Sequence, residues 1–270
     1  MGRGRTEGSP KAGRTCRICG GPRSPYREIR FKNTGRLVRR VSICRPDGCG
    51  FVRIEPLPSR YRDQTSFDDL PPASIRVGTE ERPGREFRMA QMAVEIVGRP
   101  DLEVLVYGAG RSVDNRHIET LDQVRNVAIA DIMNIRTDAE FHDANKPASK
   151  RFSVVVASEV VEHFRLPHKA FSRLFEFVAD DGLLVCGTNV YSGGLLIYDR
   201  YVFYRDHTSY YTPKALQHIA KVNGLLVDFR APQLPGGSFG RKRYVLFAKS
   251  PTIMENASLY FGTHAIPPSE

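Results

Sequence analysis

At 270 residues, with 41% hydrophobic and 26% charged side chains, the chain has the composition of a soluble globular protein with room for one large core and one small module. No stretch approaches the roughly 18 apolar residues of a spanning helix, and MGRGRTEGSPKAGRT at the start lacks the apolar core of a secretory signal, so no membrane span is expected and the cytoplasm is. The net charge of +10 is uneven: residues 1–62 carry 16 Lys and Arg against 4 Asp and Glu, which leaves the rest at −2. Such a basic segment is either a solvated face or a surface for a phosphate-bearing partner.

Residues 1–15 have almost nothing to bury and read as a disordered basic tail. Residues 16–62 read as a small metal module. Cys16 and Cys19 lie in CRICG and Cys44 and Cys49 in CRPDGCG, each pair followed by Gly20 or Gly50. Two close cysteine pairs on glycine-terminated turns match a tetrahedral zinc site, and the wider second pair has Pro46, Asp47 and Gly48 to form a turn inside it. Four cysteines leave no open coordination position, so a metal there is structural. The alternatives are two disulfides, which a cytosolic setting disfavours, or four unrelated thiols. Cys186, inside an apolar run, reads as a buried small hydrophobe.

Residues 63–85 continue a proline-rich linker, and residues 86–98 place Phe87, Ala90, Val94 and Val97 at helical spacing before a glycine. Then comes LEVLVYGAGRS, an apolar run closing on Gly108 and Gly110: a buried strand feeding a turn whose backbone can approach a ligand. On its own this is equally a tight strand-to-helix turn. Residues 112–121 follow as a crossover helix. NVAIAD is a second strand ending in Asp131, roughly 20 residues past the glycines, where an acid in a doubly wound sheet accepts bonds from a ribose; the plainer alternative is an Asp opening a turn.

Residues 139–143 make a third strand ending in Asp143, and FSVVVA a fourth, followed by SEVVEH with Glu159, Glu162 and His163. Two acids and a histidine after a buried strand do not all belong to a core, and the strand ends of an open α/β sheet form the ligand crevice. An amphipathic helix over 166–178, a turn at 180–182 and a fifth strand over 182–188 come next. Residues 189–211 break the rhythm with seven tyrosines and phenylalanines around Asp206 and His207, either packed over the core or lining a small-molecule pocket. Thr212-Pro213 opens a helix to Asn223-Gly224, strands over 225–229 and 244–249 form an antiparallel pair, and residues 251–270 read as a tail.

The expected fold is α/β: a Rossmann-like, seven-stranded, mostly parallel sheet over residues 86–250 with a small zinc-ribbon-like N-terminal module. VLVYGAG, the acid ending the second strand, SEVVEHF and GLLVCGTN resemble the class I S-adenosylmethionine-dependent methyltransferases, over about residues 86–249. CRIC, CRPDGCGFV and YRDHTSYYTPKAL resemble sugar methyltransferases of that class with an N-terminal zinc-binding module. The resemblance implies methyl transfer to a small acceptor, a sugar, nucleotide sugar or related metabolite. It brings the backbone at Gly108 and Gly110 against the cofactor, and puts Asp131 at its ribose, Asp143 at its adenine amine, Glu159 beside its methionine part, and His207 or His163 as base. Two positions depart from the pattern. Val106 stands where the family has an acid, and Ser112 where it has a third glycine. The competing expectations are an RNA methyltransferase gripping phosphates with the basic module, and a non-catalytic zinc-dependent binding protein on the same scaffold.

Overall fold

The computed structural model describes residues 15–45, 47–57, 76–232 and 240–262. Residues 85–248 build the expected sheet. Its strands are β4 (Leu102–Tyr107), β5 (Val124–Asp131), β6 (Glu140–Asp143), β7 (Phe152–Ser158), β8 (Val178–Asn189), β10 (Leu226–Arg230) and β11 (Lys242–Ala248). They lie in the order β10-β11-β8-β7-β4-β5-β6. Pairing is parallel from β6 to β8, whereas β11 runs antiparallel to both β8 and β10. The order reverses outward from β4, so the tips of β4 and β7 flank the switch point at which such sheets leave a crevice.

Alternation along each strand divides the core in two. Val104, Val106, Val154, Val156, Val185 and Leu246 face one side, against α1 (Arg85–Val97). Leu105, Val155, Leu184, Cys186 and Phe247 face the other, against α3 (Pro167–Glu176) and α4 (Pro213–Val222). α1 ends where Gly98 takes the left-handed conformation at φ 67°. α4 starts at Thr212, whose hydroxyl accepts from the Ala215 amide at 3.0 Å.

Four elements differ from the sequence reading. The crossover helix is short, α2 (Asp114–Ile118). The turn expected at 180–182 is strand: β8 runs through it, with a register shift opposite Phe152 and Val154 absorbing Gly182. The expected C-terminal tail contains α5 (Pro251–Tyr260), which buries Ile253 and Ala257 against α1. The aromatic segment carries a two-residue strand, β9 (Ser209–Tyr210), that belongs to a different sheet.

That second sheet is β1 (Arg27–Arg30), β2 (Val38–Ile43), β3 (Val52–Ile54) and β9, all antiparallel. Val52 pairs with Tyr210, and the Ile54 amide donates to the Thr208 carbonyl at 3.0 Å. The N-terminal module is thus completed by a strand inserted between β8 and α4. Of the proline-rich linker, residues 58–75 lie outside the described residues, as does the expected tail up to residue 14; residues 76–84 pack on the loop after β4.

Candidate functional site

The glycine loop is fixed from three directions. Gly108 has φ 71°, and a Cβ there would lie 2.5 Å from a Val160 methyl, so both its conformation and the strand-tip contact require glycine. Gly110, at φ 51°, donates its amide to Asp131 Oδ2 at 3.2 Å, and Asp131 Oδ1 accepts from the Ile132 amide at 2.7 Å. Burial raises the Asp131 carboxyl above its ordinary value, opposed by the Gly110 and Ile132 amides. Arg136 closes the loop from below: it donates to the Ser112 carbonyl, to Asn115 Oδ1 at 2.8 Å and to Asp138.

Asp131 and Asp143 are direct partners in the β5–β6 register, so two carboxylates stand side by side at adjacent strand tips. Asp143 accepts from the Asn145 amide at 2.9 Å, which holds it below the usual carboxylate range. Glu159 follows β7 with φ 56°, an unusual conformation for a non-glycine residue. Its carboxylate lies against the Lys242 ammonium, which also donates to the Gly187 carbonyl at 2.9 Å.

Val106, where the resemblance leads one to expect an acid, faces the core. A different carboxylate reaches the loop. Glu86, in the first turn of α1 and 3% exposed, accepts from Ser112 Oγ at 3.2 Å and from Arg85 Nε at 2.9 Å. Ser112, one of the two positions that depart from the resembled pattern, is therefore the residue that Glu86 holds. Asp114 ties the same corner, accepting from the Gly84 amide at 2.7 Å and the Phe87 amide at 3.1 Å. Sequence reading missed Glu86 because a glutamate in a helix's first turn is ordinary; only tertiary packing brings it to Ser112.

His163 and His207 come together edge to face, with centroids 5.1 Å apart. Each uses Nδ1 on a backbone carbonyl, His163 on Asp206 at 3.1 Å and His207 on Tyr201 at 2.8 Å, which fixes those nitrogens as the protonated ones in the neutral rings. Burial, reinforced by His163, pushes His207 down to about 3, and burial lowers His163 as well. Beside them lies Glu162, fully buried and pushed up to about 7 by burial. Its Oε2 accepts from Thr188 Oγ1 at 3.2 Å, whereas its Oε1 and the nearby Ser158 Oγ have no partner.

The four cysteine sulfurs lie within 4.8 Å of one another, with Cys16–Cys49 and Cys19–Cys44 at 3.6 Å. These separations are far beyond a disulfide bond of about 2.05 Å. They suit one tetrahedral ion, for which metal–sulfur bonds of about 2.3 Å put sulfurs about 3.8 Å apart. Gly20 and Gly50 both take positive φ, as the knuckle turns demand. Cys186 is buried, and burial raises its thiol.

With this geometry in place, comparison with known proteins assigns the class: residues 80–228 match the model of a methyltransferase domain family, and the chain belongs to that family. It is a class I S-adenosylmethionine-dependent methyltransferase. Similar solved structures include the Burkholderia thailandensis 1,6-didemethyltoxoflavin-N1-methyltransferase with its substrate and S-adenosylhomocysteine, at 16% identity and TM-score 0.44 over 60% of this chain and 77% of that one. Another is DhpI with S-adenosylhomocysteine, at 16% identity and TM-score 0.41 over 60% of this chain and 84% of that one. A search of curated protein sequences gives no match. No described helix is long and apolar enough to cross a membrane.

Proposed function

We propose that the chain transfers a methyl group from S-adenosylmethionine to a small acceptor of the sugar, nucleotide-sugar or related metabolite class. The observation carrying this reading is the pair Asp131–Asp143 beside the Gly108–Gly110 turn, because it sets hydroxyl- and amine-accepting carboxylates next to backbone that a nucleoside can approach. In this reading Asp131 takes the ribose, Asp143 the adenine amine, and Glu159 lies beside the methionine part. Glu86, through Ser112, supplies the carboxylate that Val106 does not. That contact favours a working cofactor site over a non-catalytic scaffold.

When bound, the cofactor supplies an electrophilic sulfonium methyl. The chain's part is to hold the acceptor in line and receive its proton. In this reading His163 or His207 meets the acceptor through Nε2, since Nδ1 of each is committed to a backbone carbonyl. His207, held near 3, takes a proton poorly at neutral pH, so Glu162, held near 7 with Oε1 unpartnered, is better matched than His207 to receive it. Zinc is the ion proposed for Cys16, Cys19, Cys44 and Cys49, in a structural role.

Calorimetry with S-adenosylhomocysteine tests the cofactor site: micromolar binding that weakens more than tenfold in Asp131→Ala supports it, and absence of binding at millimolar concentration refutes it. Incubation with methyl-labelled cofactor and a panel of sugars and nucleotide sugars tests the acceptor. Label found only in RNA would replace this reading with the RNA-modifying one.

A further inference from the structure

Two guanidinium groups contact one exposed tyrosine of the aromatic segment, and a third is carried by the residue after it. Arg39, on β2 and 4% exposed, donates through Nη2 to the Tyr204 carbonyl, but its Nη1 is buried without a hydrogen-bond partner. Arg200 lies 5.8 Å from the centre of the Tyr204 ring, and Arg205 is the next residue along the chain; both are exposed. Among the described residues none of the three makes an ion pair. Asp206 is the acid whose field reaches Arg39, and Arg205 opposes it.

Four other arginines that are buried or half-buried are neutralised by an acid or bonded to carbonyls. Arg136 pairs with Asp138, Arg230 with Asp228, and Arg241 takes Asp199, the other acid of the aromatic segment. Arg53 spreads its Nη1 over the Phe164 and Thr208 carbonyls. Among the described residues two guanidinium nitrogens, Arg39 Nη1 and Arg173 Nη1, are buried without a hydrogen-bond partner, and Arg39 is the one bonded to the aromatic segment. A buried cation with no ion-pair partner is unfavourable, and the planar guanidinium fork matches phosphate oxygens in two-point contact. The position suits an acceptor too: the Tyr204 ring lies 5.1 Å from His207, which adjoins His163 at the crevice.

We propose that Arg39, Arg200 and Arg205 form an oxyanion site around Tyr204 that receives a phosphate or diphosphate group carried by the methyl acceptor. The proposal rests on the small-acceptor reading above and narrows it to anionic acceptors. The two exposed arginines capture the group from solvent, and Arg39 supplies the desolvated contact that fixes its position. A simple phosphate ester and a nucleoside-diphosphate-linked acceptor share this chemistry.

Calorimetry on the full chain, at fixed ionic strength and saturating S-adenosylhomocysteine, uses inorganic pyrophosphate and uridine diphosphate as probes. Pyrophosphate is expected to bind, with Arg39→Met weakening it at least about tenfold and Arg200→Ser or Arg205→Ser severalfold. The two exposed variants guard against misfolding of Arg39→Met. Uridine diphosphate binding tenfold more tightly than pyrophosphate identifies a nucleotide-linked acceptor; equal affinities identify a simple ester. Pyrophosphate affinity unchanged in all three variants, or no binding at millimolar concentration, overturns the proposal. So does a short RNA that binds more tightly than either probe and displaces pyrophosphate. Cofactor affinity, measured separately in each variant, is expected to stay constant, so loss of the cofactor site and loss of the anion site are told apart.

Discussion

Glu162 shows how a single burial event sets both chemistry and stability. Its carboxyl lies under β7 and β8 with one oxygen bonded to Thr188 and the other bare, and desolvation raises it from 4.5 to about 7. In the unfolded chain it ionises near its ordinary value, so between about pH 4.5 and 7 the folded state holds a proton that the unfolded state has lost. Stability attributable to this group therefore falls as pH rises through that window and levels off above it. Glu162→Gln keeps the hydrogen-bonding shape and cannot ionise. The melting temperature of the variant relative to the parent is expected to climb from pH 5 to pH 8, by the equivalent of about 2–3 kcal/mol at most. A flat difference across that range would show the carboxyl to be solvated. His207 acts in the opposite sense: its ring, held near 3 rather than 6.5, stays neutral in the folded chain while the unfolded chain takes up a proton. It costs stability as pH falls from about 6.5 toward 3, and His207→Gln is expected to flatten acid unfolding in that window.

Among the elements, α5 and β9 do the most to complete the fold and left the least trace in the sequence. α5 fully buries only Ile253 and Ala257 among its apolar side chains, with Met254 and Tyr260 packed half-buried beside them, too loose a set to make a helical stripe visible among polar neighbours. Ile253→Ala is expected to cost about 2–4 kcal/mol in urea unfolding, while Leu259→Ala, at a side chain 78% exposed, is expected to change stability by less than about 0.5 kcal/mol. Equal small effects would mean that α5 is not docked on α1. β9 has two residues and pairs with β3 more than 150 positions earlier, so no local period could announce it. By contrast β4, β5, β7 and β8 were legible because strands buried on both faces must be near-continuous apolar runs, and their glycine and carboxylate ends fall at fixed offsets. The knuckle cysteines were legible because metal geometry restricts spacing and turn residues. Glu86 and Arg39 were not: a charged residue on a helix's first turn or on a basic strand looks solvated until tertiary contacts bury it.

At the scale of the whole molecule, the cysteine module is built into the catalytic unit rather than tethered to it. Cys16, Cys44, Cys49 and Phe51 share one core with Phe171, Leu216 and Tyr211 from the α3 and α4 side of the large sheet. The Cys49 carbonyl accepts from the Thr212 hydroxyl that also caps α4, and Phe51 packs on Tyr211 at 5.4 Å between ring centres. β3 and β9 carry this connection to the segment that holds Arg200, Tyr204, Arg205 and His207. Without the proposed metal, four thiols would converge on an empty centre and the turns that place Cys49 and Phe51 would be unfixed. One cooperative unfolding transition is therefore expected for the metal-loaded chain. Prolonged treatment with a strong chelator is expected to lower its temperature as a whole and to weaken S-adenosylhomocysteine binding less than pyrophosphate binding, because Asp131 and the glycine loop lie on the sheet itself while Arg39 lies on the module. Adding back zinc should restore both. A chelated protein that melts in two steps, with the main transition unmoved and pyrophosphate binding intact, would show the module to be an independent appendage.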